Sequence, residues 1–89
     1  MDKKKIKGVH YGSTHRKYLY NFRKKNRYTM FQVSEMIDMS KPYYERIEKG
    51  IKGQRLSLKT AYKLATLLQI DLNNFYDLEE QYQQDQNND

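Results

Sequence analysis

The chain contains no cysteine. Neither a disulfide nor a thiolate zinc site is therefore available, and a reducing cytoplasmic setting fits. No apolar run approaches the ~20 residues of a membrane span. The first residues, MDKKKIKG, lack the apolar core of a secretion signal. The expectation is a soluble cytoplasmic protein with no membrane contact. Nothing reads as a β-strand, and no nucleophile–base arrangement, glycine-rich phosphate loop or paired acidic site stands out. An enzyme has no supporting residues. His10 and His15 have no cysteine beside them and read as solvent-exposed imidazoles, so no metal or cofactor is expected.

Charge of one sign is missing from the C-terminal part. Residues 64–89 hold six acids and no base, a net −6, whereas all seventeen Lys and Arg fall within residues 1–63 against five acids, a net +12. A basic body of that density points to a polyanionic partner, which the acidic tail would repel. Eighty-nine residues make one small domain.

The most informative stretch is Thr29 to Gly50, TMFQVSEMIDMSKPYYERIEKG. Thr29 stands three residues before Gln32, the reciprocal capping-box spacing, with Tyr28 and Val33 placed as a hydrophobic staple. Eleven residues later Ser40 caps, Met39 and Tyr44 staple, and Gly50 supplies the stop. The turn Asp38-Met39 puts Asp where the chain needs positive φ, a region Asp tolerates better than most residues. Two capped helices about a short turn, over 30–37 and 41–49, form a helix-turn-helix unit whose second helix can enter a DNA major groove.

Around this unit, residues 1–13 read as a flexible basic arm with Lys3, Lys4, Lys5 and Lys7. A first helix starts near Ser13 or Thr14 and runs to about Asn26, with Leu19 and Phe22 inward. After the loop Ile51–Leu56, Ser57 begins a fourth helix on which Leu58, Ala61, Ala65 and Leu68 form an inward stripe, with Tyr62 and Leu64 beside it. Asp71 caps a fifth, with Ile70 and Phe75 as staple and Leu72 also assigned to the core. The ordered domain is expected to span 14–78. Residues 79–89 read as an acidic, Gln/Asn-rich tail, frayed or disordered.

The pattern resembles the Cro and repressor-type helix-turn-helix domains of phages and bacteria, the xenobiotic-response-element family. The match covers about residues 16–76. It rests on Leu19 and Phe22-Arg23, on Val33, Ile37, Met39, Tyr44 and Ile47, on Glu48 and Gly50, and on Ser57-Leu58, Leu64-Ala65 and Leu68. The chain departs from the family at Ser34, Asp38 and Met30, in a loop about two residues longer before the fourth helix, and at Pro42. Proline is sterically acceptable in a first helical turn. The resemblance implies an all-α, compact five-helix lambda-repressor-like fold, and an ion pair between Arg23 and Glu48.

Tyr44 and Ile47 point inward on the recognition helix, which leaves Lys41, Pro42, Tyr43, Arg46 and Lys49 on the opposite face. The resemblance turns the first four toward the groove. Arg46 is the best base reader, because a guanidinium matches guanine O6 and N7 bidentately. Lys41 reads a base or holds a phosphate, and Pro42 and Tyr43 offer apolar contact to thymine methyls. Thr29 and Gln32 are caps and candidate phosphate contacts. Lys52, Gln54 and Arg55 lie, by resemblance, along the sugar-phosphate backbone, and Lys3, Lys4, Lys5 and Lys7 either extend around the duplex or stay mobile.

The expected function is a sequence-specific transcriptional regulator, a repressor of phage or mobile-element type. It would bind double-stranded operator DNA as a homodimer on an inverted repeat, with Tyr76, Leu78 and Tyr82 at the dimer interface. The alternatives are a restriction-modification controller, an antitoxin whose C-terminal tail binds a protein partner, and a protein-only interaction module.

Overall fold

The structure, a computed structural model, describes residues 14–87. Five helices and no strand occur among them: α1 (Lys17–Lys25), α2 (Met30–Met36), α3 (Lys41–Lys49), α4 (Leu58–Leu68) and α5 (Leu72–Asn87). The basic arm with Lys3, Lys4, Lys5 and Lys7, and His10, fall outside the described residues.

Local chemistry sets most of the boundaries. Thr29 Oγ1 accepts the Gln32 amide at 3.0 Å and Gln32 Oε1 accepts the Thr29 amide at 2.8 Å, a complete capping box for α2. Ser40 caps α3 through the Tyr43 amide, Ser57 caps α4 through the Thr60 amide, and Asp71 accepts the Asn74 amide. Pro42 lies in the first turn of α3, where its missing N–H costs nothing. Between α2 and α3, Asp38 takes φ 59°. The Met39 amide donates back to Ser34 O, and Lys63 of α4 donates to Ile37 O at 3.2 Å, so the end of α2 is closed from two sides. Ser34 is buried and satisfies its hydroxyl on Phe31 O at 2.7 Å.

The core is built from Leu19, Val33, Ile37, Tyr44, Ile47, Leu64, Ala65, Leu68, Ile70 and Phe75. Every residue of the three staple pairs lies in it or against it. α2 packs on α3, α1 on α3, and α4 on α5.

Four expectations need correction. α1 begins at Lys17, not near Ser13 or Thr14, because residues 14–16 are bound to the end of α3. The Thr14 hydroxyl donates to Lys49 O, and the Arg16 amide donates to Glu48 O at 2.8 Å. α5 does not end near Leu78; it runs to Asn87, with Tyr82, Gln83 and Gln86 buried. Leu58 is 86% exposed, and Tyr62 and Leu72 are exposed with it, so the apolar stripe of α4 is only partly covered. His15 is half-buried, edge-on to the Tyr20 ring at 5.8 Å, and burial lowers its pKa.

Candidate nucleic-acid interface

The helical period sorts α3 into two faces. Tyr44, Ile47 and Glu48 are buried, while Lys41, Pro42, Tyr43, Arg46 and Lys49 are exposed. The buried face is fastened by charge as well as by packing. Arg23 of α1 meets Glu48 bidentately, Nε to Oε1 and the second guanidinium nitrogen to Oε2, both at 2.8 Å. The Tyr44 hydroxyl donates to Glu48 Oε1 at 2.8 Å, and Arg23 also donates to Tyr28 O. Burial, then the neighbouring Glu48 charge, push the Tyr44 phenol well above its usual range, so it remains a donor. Glu48 is thus the point where the orientation of α3 relative to α1 is fixed.

On the outer face the cations are not equivalent. Lys49 pairs with Glu45 at 2.7 Å, and Lys41 approaches the same carboxylate at 3.8 Å. Lys49 and then Lys41 hold the Glu45 carboxyl below the usual range. Arg46 makes no ion pair with any described residue, and neither does Lys52. An exposed guanidinium without an internal partner has all five donors available for a base edge or a phosphate. Tyr43 stands beside it, half exposed. Thr29 and Gln32 are exposed at the start of α2, and their capping bonds leave the Thr29 hydroxyl hydrogen and the Gln32 side-chain NH2 as donors.

The loop after α3 turns on two positive-φ glycines. A Cβ at Gly50 (φ 77°) would run into Thr14 O, whereas Gly53 (φ 82°) faces open space. Lys52 and Arg55 are exposed on this loop, and Arg55 lies 3.7 Å from Glu80. Gln54 is half-buried and its Oε1 accepts from Arg16 at 3.0 Å, which ties the side chain to the interior and leaves its NH2 as the group able to donate.

Arg16 is the residue that sequence reasoning missed. Its side chain is 0% exposed and every guanidinium N–H is used. Nε and the second terminal nitrogen bind the two oxygens of Glu79 at 3.0 Å, and the first terminal nitrogen reaches Ile47 O at 2.8 Å. Gln54 accepts twice more, through its side chain and its backbone oxygen. The Tyr82 ring lies 4.5 Å under the guanidinium carbon, and the Tyr82 hydroxyl donates to Thr14 O at 2.6 Å. Burial pulls the Arg16 pKa down, and the bond and charge of Glu79 outweigh it. No local signal marks this cluster, because Arg16 and Glu79 are 63 residues apart.

Tyr82 therefore corrects the expected dimer interface. It is 8% exposed and spends both its ring and its hydroxyl on its own chain. Leu78 is half-buried against the core, and Tyr76 remains exposed. Tyr76 lines an apolar groove across α4 and α5 with Leu58 and Leu72, edged by Arg55, Glu79 and Glu80, and the same two leucines line an adjoining groove with Tyr62 and Lys59.

Among the described residues no helix is long and apolar enough to cross a membrane. Comparison with curated proteins and with solved structures finds no match to this chain. A family model described as helix-turn-helix, of the Cro/C1 type, matches residues 19–75, well over half of the chain, from Leu19 in α1 to Phe75 in α5. With that span, five helices and the exposed basic face of α3, the chain belongs to the Cro/C1-type helix-turn-helix family of DNA-binding transcription regulators.

Proposed function

We propose that the protein is a non-catalytic repressor of the phage or mobile-element kind, which occupies a specific operator as a homodimer. The observation that carries base reading is the outer face of α3, where Arg46 is exposed and unpaired among the described residues while the opposite face is locked by Glu48. Arg46 takes a guanine edge, Lys41 a base or phosphate, and Pro42 and Tyr43 thymine methyls. Thr29, Gln32, Lys49, Lys52 and Arg55 hold phosphates, and the arm with Lys3, Lys4 and Lys5 adds charge along the duplex.

One recognition helix reads only a few base pairs, too few to select a site in a genome. Pairing through Leu58, Tyr62, Leu72 and Tyr76 supplies the second half-site. These are four large exposed apolar side chains on two adjoining grooves, with both charge signs at their edges, so that like charges need not face each other across a two-fold axis. The burial of Tyr82, Gln83 and Gln86 against the same chain argues against an antitoxin tail free to hold a second protein.

Selection of bound duplexes from a random DNA pool, followed by sequencing, tests the reading. An inverted repeat with half-site centres about 34–36 Å apart is expected. No enrichment at low salt would overturn DNA recognition, and an unrepeated motif bound by one copy would overturn the dimer.

A further inference from the structure

The C-terminal extension of α5 is remote in sequence from the recognition helix, yet its side chains end on the loop that follows it. Glu79 accepts four hydrogen bonds: from Arg16 Nε and the Tyr18 hydroxyl on Oε1, at 3.0 and 2.6 Å, and from Arg16 and Gln83 on Oε2, at 3.0 and 2.9 Å. Gln83 Nε2 also donates to Gln54 O at 2.9 Å. The same oxygen accepts from Arg16, and Arg16 completes its set on Ile47 O in the last turns of α3. Gln54 in turn closes a tight turn through its own amide, which donates to Ile51 O at 2.9 Å. Lys52 lies inside that turn and Arg55 follows it.

We propose that Arg16, Glu79 and Gln83 form a positioning clamp through which the end of α5 sets the affinity of the 51–56 loop for the DNA backbone. The proposal rests on the DNA-binding reading above. Two physical facts carry it. A buried cation with five satisfied donors has one geometry, so it fixes Gln54 relative to Ile47 and not merely near it. The clamp grips the loop at Gln54, through its backbone oxygen and its side chain, and leaves Lys52 unpaired among the described residues, so it orders the phosphate-binding cation without consuming it. The C-terminal helix then controls backbone affinity, while base reading stays with Arg46, which is held through Glu48 by a separate pair.

The test uses the full chain in two variants. Gln83→Leu removes one support of Gln54 O and strands no charge. Arg16→Met with Glu79→Leu removes both buried charges together, the change that such a pair tolerates best. Amide hydrogen exchange without DNA is expected to speed up at least tenfold in residues 51–56 in the double variant, and by a smaller factor in Gln83→Leu, with α2 unchanged. On DNA, two weakened phosphate contacts lower the slope of log affinity against log salt by about 1–2. In the double variant Lys52→Ala then costs less than twofold, whereas Arg46→Ala costs the same factor as in the parent. Unchanged loop exchange overturns the clamp, as does a Lys52→Ala effect equal in both backgrounds. A parent that binds no duplex refutes the DNA reading instead, and the exchange measurement still decides the clamp.

Discussion

Replacing Glu48 by alanine removes a carboxylate that is 0% exposed and that holds two guanidinium nitrogens and a phenol, all at 2.8 Å. Arg23 keeps its bond to Tyr28 O but loses its counter-charge in the interior. Breaking a buried pair from one side costs about 3–5 kcal/mol, because the other charge is stranded. The Tyr44 hydroxyl loses its acceptor as well, a further ~1–3 kcal/mol where no water can replace it. A domain this small holds only about 5–10 kcal/mol in total. At about 4–8 °C per kcal/mol, the melting temperature falls by at least about 12 °C. Arg23→Met with Glu48→Met removes both charges and keeps most of the volume, so it should cost less than Glu48→Ala alone. Thermal unfolding followed by circular dichroism, with parent, single and double variants side by side, measures all three. A shift of only a degree or two for Glu48→Ala, or a double variant less stable than the single, would refute the claim that a stranded cation dominates.

Burial and the adjacent Glu79 raise the Tyr18 phenol, as burial and Glu48 raise that of Tyr44. The unfolded chain therefore ionises first, near pH 10. Stability is complete below that pH and falls above it by about 1.4 kcal/mol per pH unit for each phenol. Urea midpoints from pH 9 to 11.5 should bend down near 10, and Tyr44→Phe should lessen the bend; an equal bend in both proteins contradicts the assignment. Lys52→Ala should weaken all duplexes about equally and reduce the salt slope by about 1. Removing residues 1–8 should flatten that slope while leaving the preferred motif intact, and loss of the motif would mean that the arm reads bases. Leu72→Ser, on an exposed side chain, should leave the melting temperature within a few degrees and shift sedimentation on the operator from two copies to one; two bound copies would remove the α4–α5 groove from the interface.

What was legible in the sequence is what neighbours within a few residues decide. The Thr29–Gln32 box, the Ser40, Ser57 and Asp71 caps and the positive φ of Asp38 are short-range chemistry, and spacing alone exposes them. The outward set on α3 follows from its period once Tyr44 and Ile47 are placed inward. Leu58 and Leu72 show where that reasoning stops: periodicity identifies side chains that share a face, but not whether the chain covers that face. Gln69 takes φ 58° at the end of α4, where no glycine or asparagine marks the stop. Arg16 and Glu79 were hidden for a different reason. A buried ion pair is a long-range event, and Glu79 stands in a polar stretch that looks like a tail until a cation is placed against it.

Base reading rests on Arg46, on the exposed face of α3. The most direct measurement is the affinity of parent and Arg46→Ala for the selected operator and for each of its single-base variants, at one fixed salt concentration. A loss of about 1–3 kcal/mol on the operator is expected, with discrimination gone at one base pair per half-site and the other positions unchanged. An Arg46→Ala protein that folds and still discriminates every position as the parent does would contradict base reading by Arg46.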